Sequence, residues 1–128
     1  MLDTTFLVDA DRSGNALDEA IDDGDDIAIA AVTVAELRAG ALLASGKAAA
    51  ARTAFIDDVL AAIPVIDYDS AVAEAHARLL VEVRRQGTPR GSHDLMIAAT
   101  ACATGRAVVT ADASAFDNLP RLDVHRHR

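Results

Sequence analysis

Apolar positions recur at helical spacing along residues 71–85, where Val72, Ala75, Leu79 and Val83 mark one face of an amphipathic helix. The same reading predicts helices over 33–43 and 48–62, the latter with Phe55, Ile56, Val59 and Leu60 on one side, and a shorter helical stretch over 16–21. Thr33 and Glu36 have the spacing of a capping box, in which the Glu side chain returns to the backbone at the helix start. Elsewhere the apolar runs are short. Residues 27–32 are nearly all apolar and read as a strand covered on both faces. Residues 63–66 read as a further short strand that Pro64 confines to a sheet edge or a strand start. Met1-Leu2-Asp3 reads as a very short opening strand, followed after Thr4 and Thr5 by a second apolar piece over 6–8. Residues 122–124 can pair as a last strand, and the tail 125–128 reads as frayed. Breaks fall at 13–15, at the acidic turn 22–26, at 67–70, in the Gly- and Pro-containing loop 86–92 and along 113–120.

The stretch from Gly91 to Asp112 organises the rest. Ser92 is a residue type that favours an N-cap, His93 and Asp94 follow, and an apolar run from Leu95 to Cys102 predicts a helix buried on nearly all sides. Asp94 is its only acid. Gly105 stops the helix, residues 107–110 form a short strand, and Asp112 lies just past that strand's carboxyl end. The alternation of strands and helices predicts one α/β domain, 1–128, built as an α/β/α sandwich around a central, mainly parallel sheet. In such a sheet, ligands sit at the carboxyl edge of the strands.

At 128 residues the chain is long enough for a real core without disulfides, and its 52% hydrophobic content rests on Ala, Val, Leu and Ile. No apolar run approaches a membrane span, Asp3 interrupts any secretory signal at once, and Cys102 is the one cysteine, so a reducing cytoplasm is expected. A net charge of −8 argues against a nucleic-acid partner until its distribution is considered. Residues 1–64 carry twelve acids against four bases, while 65–128 carry eight of each, and eleven of the twelve bases are Arg. Arg grips phosphate or carboxylate bidentately.

Asp3, Glu36, Asp94 and Asp112 stand apart from the other acids because each falls at the end of an apolar strand or in the first turn of an apolar helix. The turn acids Asp22, Asp23, Asp25 and Asp26 lack that context, and their spacing lacks the closing Glu of a calcium loop. Singly, each of the four has an ordinary role in a turn, a cap or a helix dipole. Together, with little water, they would repel one another unless a cation shares them. All-oxygen donors without Cys or a His pair suit Mg²⁺, with Mn²⁺ as the alternative, and not zinc. The matching chemistry is metal-assisted phosphodiester hydrolysis by activated water.

At these residues the chain resembles the PIN-domain family, and within it the VapC toxins of bacterial toxin–antitoxin pairs, over nearly its whole length. LDTTFLVDADRSG is similar to the family's first strand, with Asp3 as its first acid; AVTVAELRAG resembles the segment bearing its Glu, here Glu36. HDLMIAATA resembles the third-acid helix, with Asp94, and VVTADASAFDNLPRLDV the closing segment, with Asp112. The resemblance implies a PIN-like three-layer sandwich and a Mg²⁺-dependent endoribonuclease acting on tRNA or rRNA. It also implies inhibition by a cognate VapB-type antitoxin and, usually, a homodimer. By the same carry-over Asp3 and Asp94 would be the principal metal ligands and Glu36 and Asp112 would complete the pocket. Thr110, at the position of a frequent hydroxyl, would support the acids from behind, and Arg84, Arg85 and Arg90, in or before the loop leading to Asp94, are the phosphate contacts expected near the substrate-binding face. Ala115 stands before Phe116 where many relatives have Asp, which bears on a second metal ion.

Two other small α/β classes fit less well. A phosphoacceptor receiver needs a strand-borne Lys, whereas the only lysine, Lys47, lies in an Ala-rich helical region; a haloacid-dehalogenase-type phosphatase wants Asp-x-Asp where this chain has Asp3-Thr4-Thr5. A catalytically inactive interaction module that binds an antitoxin-type helix is the remaining alternative.

Overall fold

A computed structural model describes residues 1–14 and 25–127. Its strands are short: β1 (Ile29–Ala30), β2 (Val65–Ile66), β3 (Val108–Thr110) and β4 (Val124–Arg126), with β1 parallel to β2 and β3 parallel to β4. The N-terminal segment joins the two pairs. Leu2 bridges Val109 in parallel, Val109 N–H donates to Met1 O at 2.8 Å, Asp3 N–H to Val109 O at 3.0 Å, and Leu2 N–H to Ala28 O at 3.0 Å. The order across the sheet is therefore β4, β3, N-terminal segment, β1, β2. Chain order reverses beside the N-terminal segment, and a crevice opens at the carboxyl ends of Leu2-Asp3 and β3.

Residue alternation splits the core into two layers. Met1, Ala28, Ala30 and Val108 pack on one side with Val72, Leu79, Leu95, Ala98 and Phe116; Leu2 and Ile29 pack on the other with Phe6, Leu7, Leu37, Ile56 and Val59. Period-two side-chain direction puts these neighbours on opposite faces, which is what a three-layer sandwich requires. The first layer holds α4 (Ser70–Gln86) and α5 (Ser92–Thr104); the second holds α1 (Thr4–Ser13), α2 (Ala31–Leu43) and α3 (Gly46–Ala62). Buried Ala98, Ala99 and Ala101 let α5 lie close to the sheet. Val72, Ala75 and Leu79 form the buried stripe of α4, whose start is capped by Asp69 accepting from Val72 N–H at 2.9 Å. Gly87 and Gly105 end α4 and α5 in the left-handed conformation that only Gly adopts without strain.

Five expectations are corrected. The apolar piece 6–8 is not a strand: α1 starts at Thr4, because Asp3 accepts Phe6 N–H at 2.9 Å as an N-cap and Phe6, Leu7 and Ala10 then bury one helical face. The strand expected over 27–32 is cut to Ile29–Ala30 by α2, which begins at Ala31 without a side-chain cap. Thr33 thus lies inside the helix, fully buried, and the capping box does not form. At α5 the N-cap is Gly91, and Ser92 is the first helical residue. Over 125–127 the tail is not frayed: His125 and Arg126 belong to β4, His127 N–H donates to Thr110 O at 2.7 Å, and the His127 ring packs edge-on against Phe6. The helix expected over 16–21 lies outside the described residues, as does most of the acidic turn.

Candidate active site

Asp3 ends the N-terminal segment at the crevice and is 1% exposed. Such a buried carboxylate needs donors, and the neighbouring hydroxyls supply them. Thr110 Oγ1 donates to Asp3 Oδ2 at 2.7 Å, Thr5 Oγ1 lies 2.9 and 3.0 Å from its two oxygens, and Phe6 N–H donates to Oδ1. Three donors against about four lone-pair positions leave the carboxylate one direction to use outward. Burial raises its pKa above 3.8; the bonds from Thr110, Phe6 and Thr5 oppose that rise, and the charge of Asp112 adds to it.

Glu36 reaches the same place from α2. Because the helix starts at Ala31, the Glu36 side chain does not turn back to cap it. It accepts from Thr4 Oγ1 at 2.7 Å through Oε1, and Oε2 lies 3.3 Å from His93 Nδ1. Asp94 projects from the first turn of α5. Burial raises its pKa, followed by the charges of Asp3, Glu36 and Asp112, while His93 pulls the other way. Asp3, Glu36 and Asp94 line one cavity of about 400 Å³, together with Thr4, Thr5, Val8, Asp9, Arg12 and Ala111. Asp112 is not part of that lining. Its backbone N–H donates to Thr110 Oγ1 at 2.9 Å, and its Oδ1 accepts from Ser114 Oγ at 2.5 Å. Its charge acts on both Asp3 and Asp94, so it stands beside the cavity.

The expected phosphate contacts are elsewhere. The Arg90 guanidinium is spent on the backbone carbonyls of Ser114, at 2.8 Å, and of Asp117, tying the loop before α5 to the segment after β3. Arg84 and Arg85 close α4 at the surface, and Arg85 lines a different groove with Glu74, Glu82 and Arg121. Thr110 is fully buried and donates to Asp3 Oδ2, so it stands behind that acid. Conversely, Thr4, Thr5, Asp9, Arg12 and His93 belong to the site and were missed. A helix read outward from an Asp3 N-cap would have aligned Thr5, Asp9 and Arg12 on one face.

Gly91 has a specific role here. A Cβ at this position would come within 2.8 Å of Asp94 Oδ2, the mobile end of that side chain. Gly91→Ala is therefore expected to displace the carboxylate with little loss of thermal stability. Any hydrolytic activity that depends on Asp94 should fall at least about 10-fold, approaching the roughly 10²-fold cost of a 1 Å misplacement. Steady-state kinetics beside a melting curve would check this, and an unchanged rate would remove Gly91 from the site.

The donor set suits a hard cation. The acids offer oxygen only, and two of them are held at raised pKa by burial and mutual repulsion, a cost that a shared cation relieves. Among the described residues no three His, Cys, Asp or Glu side chains form a ready-made ligand group. Mg²⁺ fits such a site, because it is commonly held by one or two carboxylates and keeps several waters.

The chain belongs to the PIN-domain family, whose model matches residues 1–122. Within that family the likeness is to VapC ribonucleases. The chain is 33% identical over 123 residues to ribonuclease VapC5 of Mycobacterium tuberculosis, covering 96% of this chain and 87% of the relative. It is 31% identical over 96 residues to the tRNA(fMet)-specific endonuclease VapC of Salmonella typhimurium, covering 75% and 71%. The fold superposes with a TM-score of 0.89 and 25% identity on VapBC2 of Rickettsia felis, solved bound to a DNA fragment from its promoter, over 100% of this chain and 98% of that one. No helix among the described residues is long and apolar enough to cross a membrane.

Proposed function

We propose that the chain is a Mg²⁺-dependent endoribonuclease of the VapC toxin type, inhibited by a VapB-type antitoxin and working as a homodimer. One observation carries the catalytic part: the buried Asp3 and the half-buried Asp94 meet Glu36 in a single cavity at the carboxyl edge of the sheet. The antitoxin is supported by the structural neighbours, which are VapBC complexes. RNA as substrate is supported by relatives named as ribonucleases.

In this reading Asp3 and Asp94 hold the ion, and Glu36 and Asp112 complete the acidic surround. When bound, Mg²⁺ supplies activation of water and neutralisation of charge on the phosphate. The chain itself supplies position. Thr110 and Thr5 fix the Asp3 oxygens, Thr4 fixes Glu36, Ser114 fixes Asp112, and Gly91 leaves room for Asp94. Partners of this kind behind metal ligands are typically worth 10–100-fold in affinity or activity.

Incubation with a pool of structured RNAs tests the reading. Cleavage is expected with Mg²⁺ and with Mn²⁺, and none in EDTA; cleavage that persists in EDTA overturns it. The second reading, an inactive module that only binds an antitoxin, draws on Ala115, which packs against the core and offers no carboxylate. Absence of cleavage with every metal, alongside binding of an antitoxin-type peptide, would establish that reading instead.

A further inference from the structure

We propose that Arg12 grips the RNA backbone at the rim of the acid cavity, holding a phosphate that flanks the one being cleaved; this rests on the endoribonuclease reading above. Among the described residues the cavity is lined by four carboxylates, those of Asp3, Asp9, Glu36 and Asp94, and Arg12 is the only Arg or Lys in that lining. A polyanion approaching such a surface needs a fixed cation to hold it in register. Arg suits that task, because its planar fork binds phosphate bidentately.

The placement follows from α1. Thr5, Val8, Asp9 and Arg12 all line the cavity, and their spacing is that of one helical face. Arg12 lies nine residues after Asp3, about 13 Å along the axis at 1.5 Å per residue, and helical side chains lean back toward the N-terminus. The guanidinium therefore stands beside the acids and not among them. Consistently, the charge acting on Asp3 is that of Asp112, those acting on Asp94 are of Asp3, Glu36, Asp112 and His93, and Arg12 is among neither. Arg12, Val8 and Glu36 also form the shared wall of a second cavity of about 230 Å³, which continues past Arg12 toward Arg52 and Phe55. A strand with one phosphate at the acids has room to run on over Arg12.

Arg12 is also uncommitted. Arg38 pairs with Asp57 at 3.0 Å, Arg106 with Asp26 at 2.9 Å, Arg52 donates to Gly40 O at 3.2 Å, and Arg90 serves the carbonyls after β3. Arg12 is exposed and makes no ion pair or hydrogen bond with any described residue, although Asp9 and Asp11 lie on the same helix. An arginine beside several carboxylates and paired with none of the described ones is available to a ligand.

The experiment compares the full chain with Arg12→Ala and Arg12→Lys. Binding of a single-stranded RNA is measured in EDTA across a salt series, and cleavage of the same RNA is measured with Mg²⁺. For Arg12→Ala the expected result is a roughly 10-fold rise in Kd and KM with kcat within about twofold. The slope of log affinity against log salt should shrink by about 0.7, the value of one phosphate contact on a single strand. Arg12→Lys should recover the slope, since the charge is restored. Arg12 touches no described residue by a polar bond, so all three proteins should melt alike. Unchanged affinity and slope, or a loss of kcat with KM unchanged, overturns the proposal. So does weaker binding of an acidic antitoxin-type peptide with RNA binding intact, which would assign Arg12 to protein docking. If the wild type binds RNA but never cleaves it, the nuclease reading fails, while the EDTA series still decides whether Arg12 holds a phosphate.

Discussion

Asp94→Asn is expected to reduce RNA hydrolysis by more than about 10²-fold, to background, while raising the melting temperature measured in EDTA. The activity loss exceeds what outer-shell partners of metal sites typically contribute, about 10–100-fold, because Asp94 would touch the ion itself. The stability gain has a separate origin. Folding raises the Asp94 pKa above its ordinary 3.8, through burial and through the charges of Asp3, Glu36 and Asp112. A group with a raised folded pKa contributes its full stability below the unfolded value and loses it as pH climbs through the folded value. At neutral pH the ionised carboxylate is therefore a net cost to the metal-free fold, and the Asn variant lacks that cost. Two checks follow. In EDTA the gap between variant and wild type should close as pH falls toward 3.8. At neutral pH, added Mg²⁺ should raise the wild-type melting temperature and leave the variant unmoved. A variant that cleaves RNA at near wild-type rate, or a wild type indifferent to Mg²⁺ in both assays, would remove Asp94 from a metal site.

The same residue shows what a sequence can disclose about such a site. Asp94 was legible because it is the one acid on a helix whose remaining face is apolar, so its position needed a reason. Asp112 was legible because Val108 and Val109 deliver it past a strand end. Glu36 was legible as a residue but not in its role: the Thr33-x-x-Glu36 spacing matches a capping box, and only the early start of α2 frees the side chain to meet Thr4 and His93. That start was hidden because a short apolar run such as 27–32 has no period that separates a buried strand from a buried helix. Phe6 to Val8 carried the same ambiguity. Reading it as a strand hid the α1 face on which Thr5, Asp9 and Arg12 align. The arginines were misplaced for a related reason. Arg90 is near Asp94 along the chain, yet its guanidinium reaches the carbonyls of Ser114 and Asp117, a pairing across 24 and 27 residues that no local pattern encodes.

Asp3→Ala and Asp3→Asn should both abolish hydrolysis, yet differ sharply in stability. Asp3 is at once the last residue of the N-terminal segment, the N-cap of α1 and the acceptor for Thr110 and Thr5. Truncation to Ala loses the cap, worth about 1 kcal/mol. It also leaves the fully buried Thr110 hydroxyl without its acceptor, at about 1–3 kcal/mol for a buried group left unsatisfied. Relief from burying a charge offsets part of this, so a net loss of roughly 1–3 kcal/mol is expected. For a chain of 128 residues that corresponds to a fall of about 4–11 °C in melting temperature. Asn caps a helix as well as Asp does and keeps an oxygen for Phe6 N–H and a partner for Thr110, while shedding the charge that burial disfavours. Asp3→Asn should therefore melt within a few degrees of wild type in EDTA. Thermal unfolding followed by circular dichroism separates the two. Equal melting temperatures for the variants would mean that the hydrogen bonds around Asp3 contribute nothing net to the fold. In that case the threonines at 5 and 110 would serve only to aim the carboxylate into the cavity.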